Sequence, residues 1–196
     1  MLSTPSRPSA TVLLQIETNR RAAKWSSKEL SLRMLWALCH PLFRLSPRLL
    51  WGWRRWLLKM FGARIGRNVH VHPTATVTIP WNLQIEDFAS VGDGARIYNL
   101  GKVTIGRAVT VSQFAHLCAG THDYTRADFP LIKAPIRIED GAWVCADAFV
   151  GPGVTVGAYA IVGARAVAMR DVEAWTIVAG NPAAFVRPRP AIESRP

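Results

Sequence analysis

The sequence predicts an all-β fold: a parallel β-helix of hexapeptide repeats, preceded by a helical segment and carrying one protruding loop. Three observations predict it. First, aliphatic residues recur every six positions, as in Ile65–Val71–Val77, Ile85–Val91–Ile97, Ile105–Val111–Leu117 and the run Ile138–Val144–Val150–Val156–Val162–Ala168. Of these 15 positions, 13 are Ile or Val. Second, the residue four positions further on is small or β-branched, as at Ala75, Ala89, Ala95, Val109, Ala148 and Ala166. Third, glycine often follows the aliphatic directly, as at Gly66, Gly92, Gly106, Gly151, Gly157 and Gly163.

A period of six is neither the helical 3.6 nor a simple alternation, and it matches hexapeptide-repeat solenoids. Each hexad supplies a short strand and a turn, and three hexads close one coil of a triangular prism. The aliphatic points inward, the small residue fits the corner, and the glycine is expected to serve the turn's backbone angles. The first three coils begin at Ile65, Ile85 and Ile105, which implies 18 residues plus a two-residue bulge per coil; Ile138 and Val156 begin coils with none. One long insertion, residues 123–137, separates the third coil from the fourth, and a long loop on a rigid solenoid is a functional candidate. The segment AWTIVAGNPAAFVRPRP reads as a closing coil with a turn at Gly180-Asn181-Pro182. It would cap the solenoid's end. The expected organisation is a flexible tail over 1–24, a basic amphipathic helical segment over 25–62, a β-helix domain over 63–190 and a tail over 191–196.

The 196 residues carry a formal net charge of +11, and 49% are hydrophobic, which excludes a disordered or fibrous chain. The charge is uneven: residues 1–61 carry +9 and residues 62–196 only +2. Five of the eight Trp also lie in the first segment. No apolar run approaches the roughly 20 residues of a spanning helix, and no signal peptide is evident. Three Cys at unrelated spacings make neither a disulfide framework nor a zinc motif, so a reducing, cytoplasmic setting is expected, with a position peripheral to the inner membrane face as a further option. From Pro47 to Phe61, Leu49, Leu50, Trp53, Trp56, Leu57, Met60 and Phe61 share one arc of a helical wheel, with Arg48, Arg55 and Lys59 opposite. That arc suits two roles, which can coexist: covering the open first coil, or lying on an anionic membrane through residues 25–61. Nucleic acid is not an expected partner, because the basic residues are interleaved with bulky apolar ones and no binding motif is present.

Several words of the sequence resemble the left-handed β-helix acetyltransferases: Gly120-Thr121-His122, Gly151-Pro152-Gly153-Val154-Thr155-Val156-Gly157 and Ala179-Gly180-Asn181-Pro182-Ala183. They are similar to galactoside and maltose O-acetyltransferases. The words Trp53-Arg54-Arg55, Pro80-Trp81-Asn82, Ile97-Tyr98-Asn99-Leu100, His122-Asp123-Tyr124 and Asp128-Phe129-Pro130-Leu131 bring the chain nearer to the colanic acid biosynthesis acetyltransferases, over roughly residues 25–188. The resemblance implies a homotrimer with acetyl-CoA in the groove between prisms, a saccharide acceptor in exopolysaccharide or other surface glycan synthesis, no metal, and His122 as general base. It also places Gly94 where the galactoside and maltose enzymes carry a substrate-fixing Asn.

An alcohol is a weak nucleophile at neutral pH, and an imidazole with pKa about 6.5 is suited to take its proton. His122 immediately precedes the long loop and is the leading candidate. His116, one hexad earlier, is second and belongs to a different prism face. His70 and His72 lie at the rim of the first coil, and His40 is structural. A zinc site built from these His has spacing unlike that of β-helix zinc enzymes. Acceptor contacts are expected from Asn99 and from Asp123, Tyr124, Asp128 and Phe129 of the loop; either Asp could also orient His122, or simply be solvated. By the resemblance, Ala146, Ala164, Met169, Arg170 and Arg187 match positions that contact coenzyme A. Trp143 could line the groove, and Arg165 and Arg189 are plausible phosphate ligands on charge alone. The alternative of another class is a non-catalytic β-helix scaffold that holds partners through its basic, aromatic N-terminus.

Overall fold

The computed structural model of the chain describes residues 15–193. Of the tails expected over 1–24 and 191–196, residues 1–14 and 194–196 lie outside the described residues. The body is a parallel β-helix of short strands stacked into three faces, as the hexads predict. Face I holds strands 64–65, 83–85, 103–105, 136–138 and 155–156; face II holds 70–71, 90–91, 110–111, 143–144, 161–162 and 176–179; face III holds 76–77, 96–98, 116–118, 149–150 and 167–168. Registers bring like residues together. Ile65, Ile85, Ile105, Ile138 and Val156 stack on face I, and Val71, Val91, Val111, Val144, Val162 and Val178 on face II. Val77, Ile97, Leu117, Val150 and Ala168 stack on face III. These side chains and the corner residues Ala75, Ala89, Ala95, Ala115, Ala148 and Ala166 form one buried column. Its exclusion from water is the main driving force of the fold.

The glycines after the inward aliphatics have a different role from the one expected. Their φ angles are not positive. The left-handed positions lie two residues later and are held mostly by other residues, among them Asn68, Ala108, Tyr159 and Arg165. What requires glycine is stacking: a Cβ at Gly66 would lie 2.6 Å from the amide nitrogen of Asp87, and one at Gly157 2.5 Å from that of Ala174. At these positions the next coil's backbone lies directly over the residue and leaves no room for a Cβ.

All the irregular breaks fall at one corner, between face III and face I. The first is the turn of 3₁₀ helix at Pro80–Asn82, the second surrounds Asn99 and Leu100, and the third is the long loop. Asn99 is fully buried. Its Oδ1 accepts from the amides of Thr78 (3.1 Å) and Ile79 (2.9 Å), and its Nδ2 donates to the Ile79 carbonyl. The expectation that Asn99 contacts substrate is therefore corrected: its amide is consumed in holding the preceding coil's bulge.

Three helices precede the prism: α1 (Ile16–Arg21), α2 (Ser27–Arg44) and α3 (Trp51–Met60). A reciprocal capping box starts α2, with Ser26 Oγ accepting from the Glu29 amide and the Glu29 carboxylate from the Ser26 amide. Helix α1 corrects the tail expected through residue 24. The Gln15 amide donates to the Ala127 carbonyl (2.8 Å) and Asn19 Nδ2 to that of Asp128 (2.8 Å), so hydrogen bonds to the loop order a polar segment with little apolar drive.

Helices α2 and α3 cover the open first coil, and they do so with donors. Carbonyls on that edge have no coil above them. Trp36 Nε1 donates to Val77 O (2.9 Å), Arg54 Nε to Val71 O (2.6 Å), Arg55 Nη1 to Val69 O (3.1 Å) and Arg44 Nη1 to Thr74 O (3.3 Å). Arg54 is fully buried, and its remaining nitrogens donate to Ser46 Oγ, Pro47 O and Arg48 O. The Trp51 ring lies 4.7 Å from its guanidinium carbon, and burial pushes its pKa below the usual range. The helical wheel is thus turned from the expected orientation. Leu57 and Leu58 face inward with Arg54, whereas Trp53, Trp56 and Met60 stay exposed. A sheet edge is a row of acceptors, so the side of α3 that carries the guanidinium is the side that docks.

Arg54→Met should lower the unfolding free energy by about 3 kcal/mol, because it strands buried acceptors. Urea unfolding followed by circular dichroism measures this. Arg54→Lys should recover little, since one ammonium cannot serve four oxygens fixed around a planar guanidinium. A loss under about 0.5 kcal/mol for Arg54→Met would show that other contacts hold the cap.

Candidate active site

The chain leaves face III after Cys118 and forms a hairpin, in which Thr121 pairs antiparallel with Ile132 and His122 with Leu131. The turn is built from its own polar groups. Asp123 Oδ1 accepts from the Thr125 hydroxyl (2.6 Å) and amide (3.0 Å), and both hold its carboxyl below the usual range. Arg126 binds Asp128 through Nε at 3.0 Å and likewise holds that carboxyl down. Phe129 adopts a left-handed φ of +44°, which aims its carbonyl back across the hairpin.

That carbonyl accepts from His122 Nδ1 at 2.7 Å. A carbonyl oxygen has no proton to give, so Nδ1 carries the hydrogen, and in the neutral ring the lone pair is on Nε2. The expectation that Asp123 or Asp128 orients His122 is corrected, because both carboxylates are committed within the turn and a backbone oxygen does the orienting. Asn19 of α1 also donates to the Phe129 carbonyl through Nδ2, while Lys24 Nζ donates to Asn19 Oδ1. Lys133 Nζ closes the junction, donating to the Lys24 carbonyl at 3.1 Å and lying 3.7 Å from the centre of the Trp25 ring. Tyr124 is exposed at the loop tip and Phe129 is half-buried.

His116 stays on face III, with its ring edge-on to Phe149 at 5.2 Å. Burial, and then the nearby Arg96 charge, push its pKa down. It lines a cavity of about 390 Å³ with Thr76, Thr78, Arg96, Tyr98 and Cys118. Sequence reasoning passed over this cavity. Its signal is the register itself, since outward residues one coil apart, such as Arg96 and His116, must be neighbours. His70 stacks on Trp51 at 4.5 Å and His40 packs against Trp36, so both are structural. At Gly94, φ is +64° and a Cβ would fall 2.4 Å from the Phe114 ring, so this corner has no room for a substrate-fixing side chain.

The residues matched to coenzyme A fall on two edges. Met169 and Arg170 follow the last strand of face III, on the same III–I edge from which the His122 hairpin emerges, and Met169 packs beside Gly151. Ala146, Ala164 and Arg165 lie on the II–III edge, where the Arg165 amide donates to the Ala146 carbonyl at 2.9 Å. Trp143 stands half-exposed on face II with its Nε1 donating to Ser112 Oγ (2.8 Å), and Arg187 pairs opposite Ile177 beyond the same face. Arg189 is already engaged, donating to the carbonyls of Gly141 (3.1 Å) and Tyr159 (2.9 Å). Within one prism the two edges do not face each other.

The fold and the hairpin define a hexapeptide-repeat β-helix with an exposed imidazole of fixed tautomer, a class in which acyl transfer is a known use. No family model matches the chain. It is 40% identical over 160 residues, 82% of its length and 88% of the relative's, to the Escherichia coli K12 protein described as a colanic acid biosynthesis acetyltransferase, WcaF. It is 26% identical over 137 residues, 68% of each chain, to the galactoside O-acetyltransferase of the same organism. Among solved structures it is similar to the hexapeptide-repeat acetyltransferase VCA0836 of Vibrio cholerae, with a TM-score of 0.78 and 25% identity over 85% of this chain and 95% of that one. VCA0836 has also been solved with acetyl-CoA. Galactoside acetyltransferase in complex with coenzyme A aligns with a TM-score of 0.75 and 20% identity over 89% of this chain and 88% of that one. The chain belongs to the hexapeptide-repeat acetyltransferases, whose prism is the left-handed β-helix.

The neutral form of His122 should be the Nδ1–H tautomer. Two-bond ¹⁵N–¹H correlation spectra of the ¹⁵N-labelled protein distinguish the tautomers directly. An Nε2–H tautomer would remove the geometric basis for a base at Nε2.

Proposed function

We propose that the protein transfers the acetyl group of acetyl-CoA directly to a saccharide hydroxyl, in exopolysaccharide or other surface glycan synthesis, with His122 as general base. The observation that carries this is the bond from His122 Nδ1 to the Phe129 carbonyl, because in the neutral ring it places the lone pair on Nε2, and the residue is exposed beside the loop. Nε2 takes the hydroxyl proton as the sugar oxygen attacks the thioester carbonyl. The carbonyl becomes an oxyanion, which backbone amides can stabilise. Collapse re-forms the carbonyl, expels the coenzyme A thiolate and returns the proton from the imidazolium to sulfur. No acyl-enzyme is needed, so none of the Cys takes part. The saccharide reading is supported by the substrates in the names of the WcaF and galactoside relatives.

The two-edge distribution of the coenzyme A residues supports a homotrimer. A neighbouring prism would set the Ala146–Ala164–Arg165 edge of one copy against the His122–Met169–Arg170 edge of another. Asn19 is proposed as a positioning residue: it fixes the carbonyl that fixes the base. The supply of acetyl-CoA makes the cytoplasm the proposed site of action.

Thiol release from acetyl-CoA with a panel of sugars tests the reading. His122→Ala should lower kcat by about 10²- to 10⁴-fold, and equal release by wild type and variant would overturn the mechanism. Asn19→Ala should lower kcat about tenfold, leave the KM for acetyl-CoA unchanged, and admit the Nε2–H tautomer of His122 in the ¹⁵N spectrum. An unchanged tautomer population would reduce Asn19 to a purely structural contact.

A further inference from the structure

Helix α2 is apolar on both sides. Trp36 and Phe43 face the prism and are buried, while Leu30, Met34, Leu38 and Leu42 follow one another at intervals of four on the opposite side, with Met34 at 69% and Leu38 at 76% exposed. A helix with two apolar sides needs cover on both. Among the described residues, nothing covers the outer one. The stripe does not stop with α2. It runs over the connection into α3 through a shallow apolar cleft of about 280 Å³ lined by Pro41, Leu42, Leu45, Pro47, Leu50 and Trp53. It ends on Trp53 and Trp56, stacked at 5.1 Å and both exposed. The capping role accounts for the inner side of these helices and leaves the outer side unexplained.

We infer that this outer face docks on an anionic lipid bilayer, with α2 and α3 lying in the plane of the interface. Charge selects this occupant over a second copy of the chain. The basic residues of the cap segment that are not engaged with the prism include Lys28, Arg33 and Lys59, whereas its single carboxylate, Glu29, is committed to the capping box of α2. Two such surfaces brought together would oppose like charges, but an anionic headgroup layer complements them. Leu and Met enter the acyl boundary, indoles prefer the headgroup level, and Lys and Arg reach the phosphates. No helix among the described residues is long and apolar enough to cross a membrane, so the contact is in-plane. The face sits on the end of the prism covered by α2 and α3, which leaves faces I, II and III clear of the lipid. This inference is independent of the role given to His122.

Co-sedimentation of the full chain with phosphatidylcholine vesicles, with and without 25% phosphatidylglycerol, tests it, the lipid fraction being a chosen condition of about one anionic lipid in four. Binding should require phosphatidylglycerol, fall on raising NaCl from about 0.1 to 0.5 M, and shift tryptophan emission to the blue. Leu38→Glu and Met34→Glu should each weaken binding at least tenfold without changing far-UV circular dichroism or the thermal midpoint, since both side chains are exposed. Retained binding by both variants, or equal binding to the two vesicle types, would overturn the inference. A change of oligomeric state in Leu38→Glu by sedimentation velocity would also overturn it, reassigning the face to a contact between copies.

Discussion

Stacking of one coil on the next at a single strand spacing constrains everything else in this molecule. It demands an aliphatic at every sixth position, because only a side chain of that size fills the prism without a void. The same spacing excludes a Cβ at Gly66, Gly92 and Gly157, where the next coil's backbone passes directly over the residue. It also creates a problem at each end, since the terminal coils expose ladder groups with no partner. At the C-terminal end, strand 176–179 joins face II and turns back on strand 184–188. At the N-terminal end, guanidinium and indole donors supply what a further coil would have supplied.

That solution reshapes the meaning of the basic N-terminus. Part of its charge is internal to the fold: Arg54 binds only neutral oxygens and a ring face, and Arg44 and Arg55 contribute to the same edge. Lys28 and Arg33 of α2 flank the outward apolar stripe. Net charge alone could not separate these uses, which differ by only about 100° of rotation per residue around a helix.

The prism column was legible in the sequence because burial dictates residue type at each inward position and the period repeats often enough to fix the register. The position of His122 was legible for a related reason: the pattern shows where the coil breaks. Its orienting partner was not, because a backbone carbonyl has no residue type and depends on the left-handed φ of Phe129. Asn19 lies more than one hundred positions from that carbonyl and carried no local signal. Asn99 was misread because an Asn in a coil break looks like surface, whereas here it replaces missing ladder bonds inside the bulge. The helical wheel of α3 misled because it assumes an apolar wall on the other side.

One consequence follows from where the breaks fall. Ile105 and Ile138 remain in direct register although the whole hairpin lies between them. Length added at the III–I corner is therefore invisible to the rest of the ladder, which resumes as if nothing had been inserted. The corner acts as a cassette site. A loop of different length or composition can be exchanged there, and with it the surface offered to an acceptor, while the prism and the spacing of its other edges stay fixed. Fold and specificity can thus diverge independently in a chain built this way.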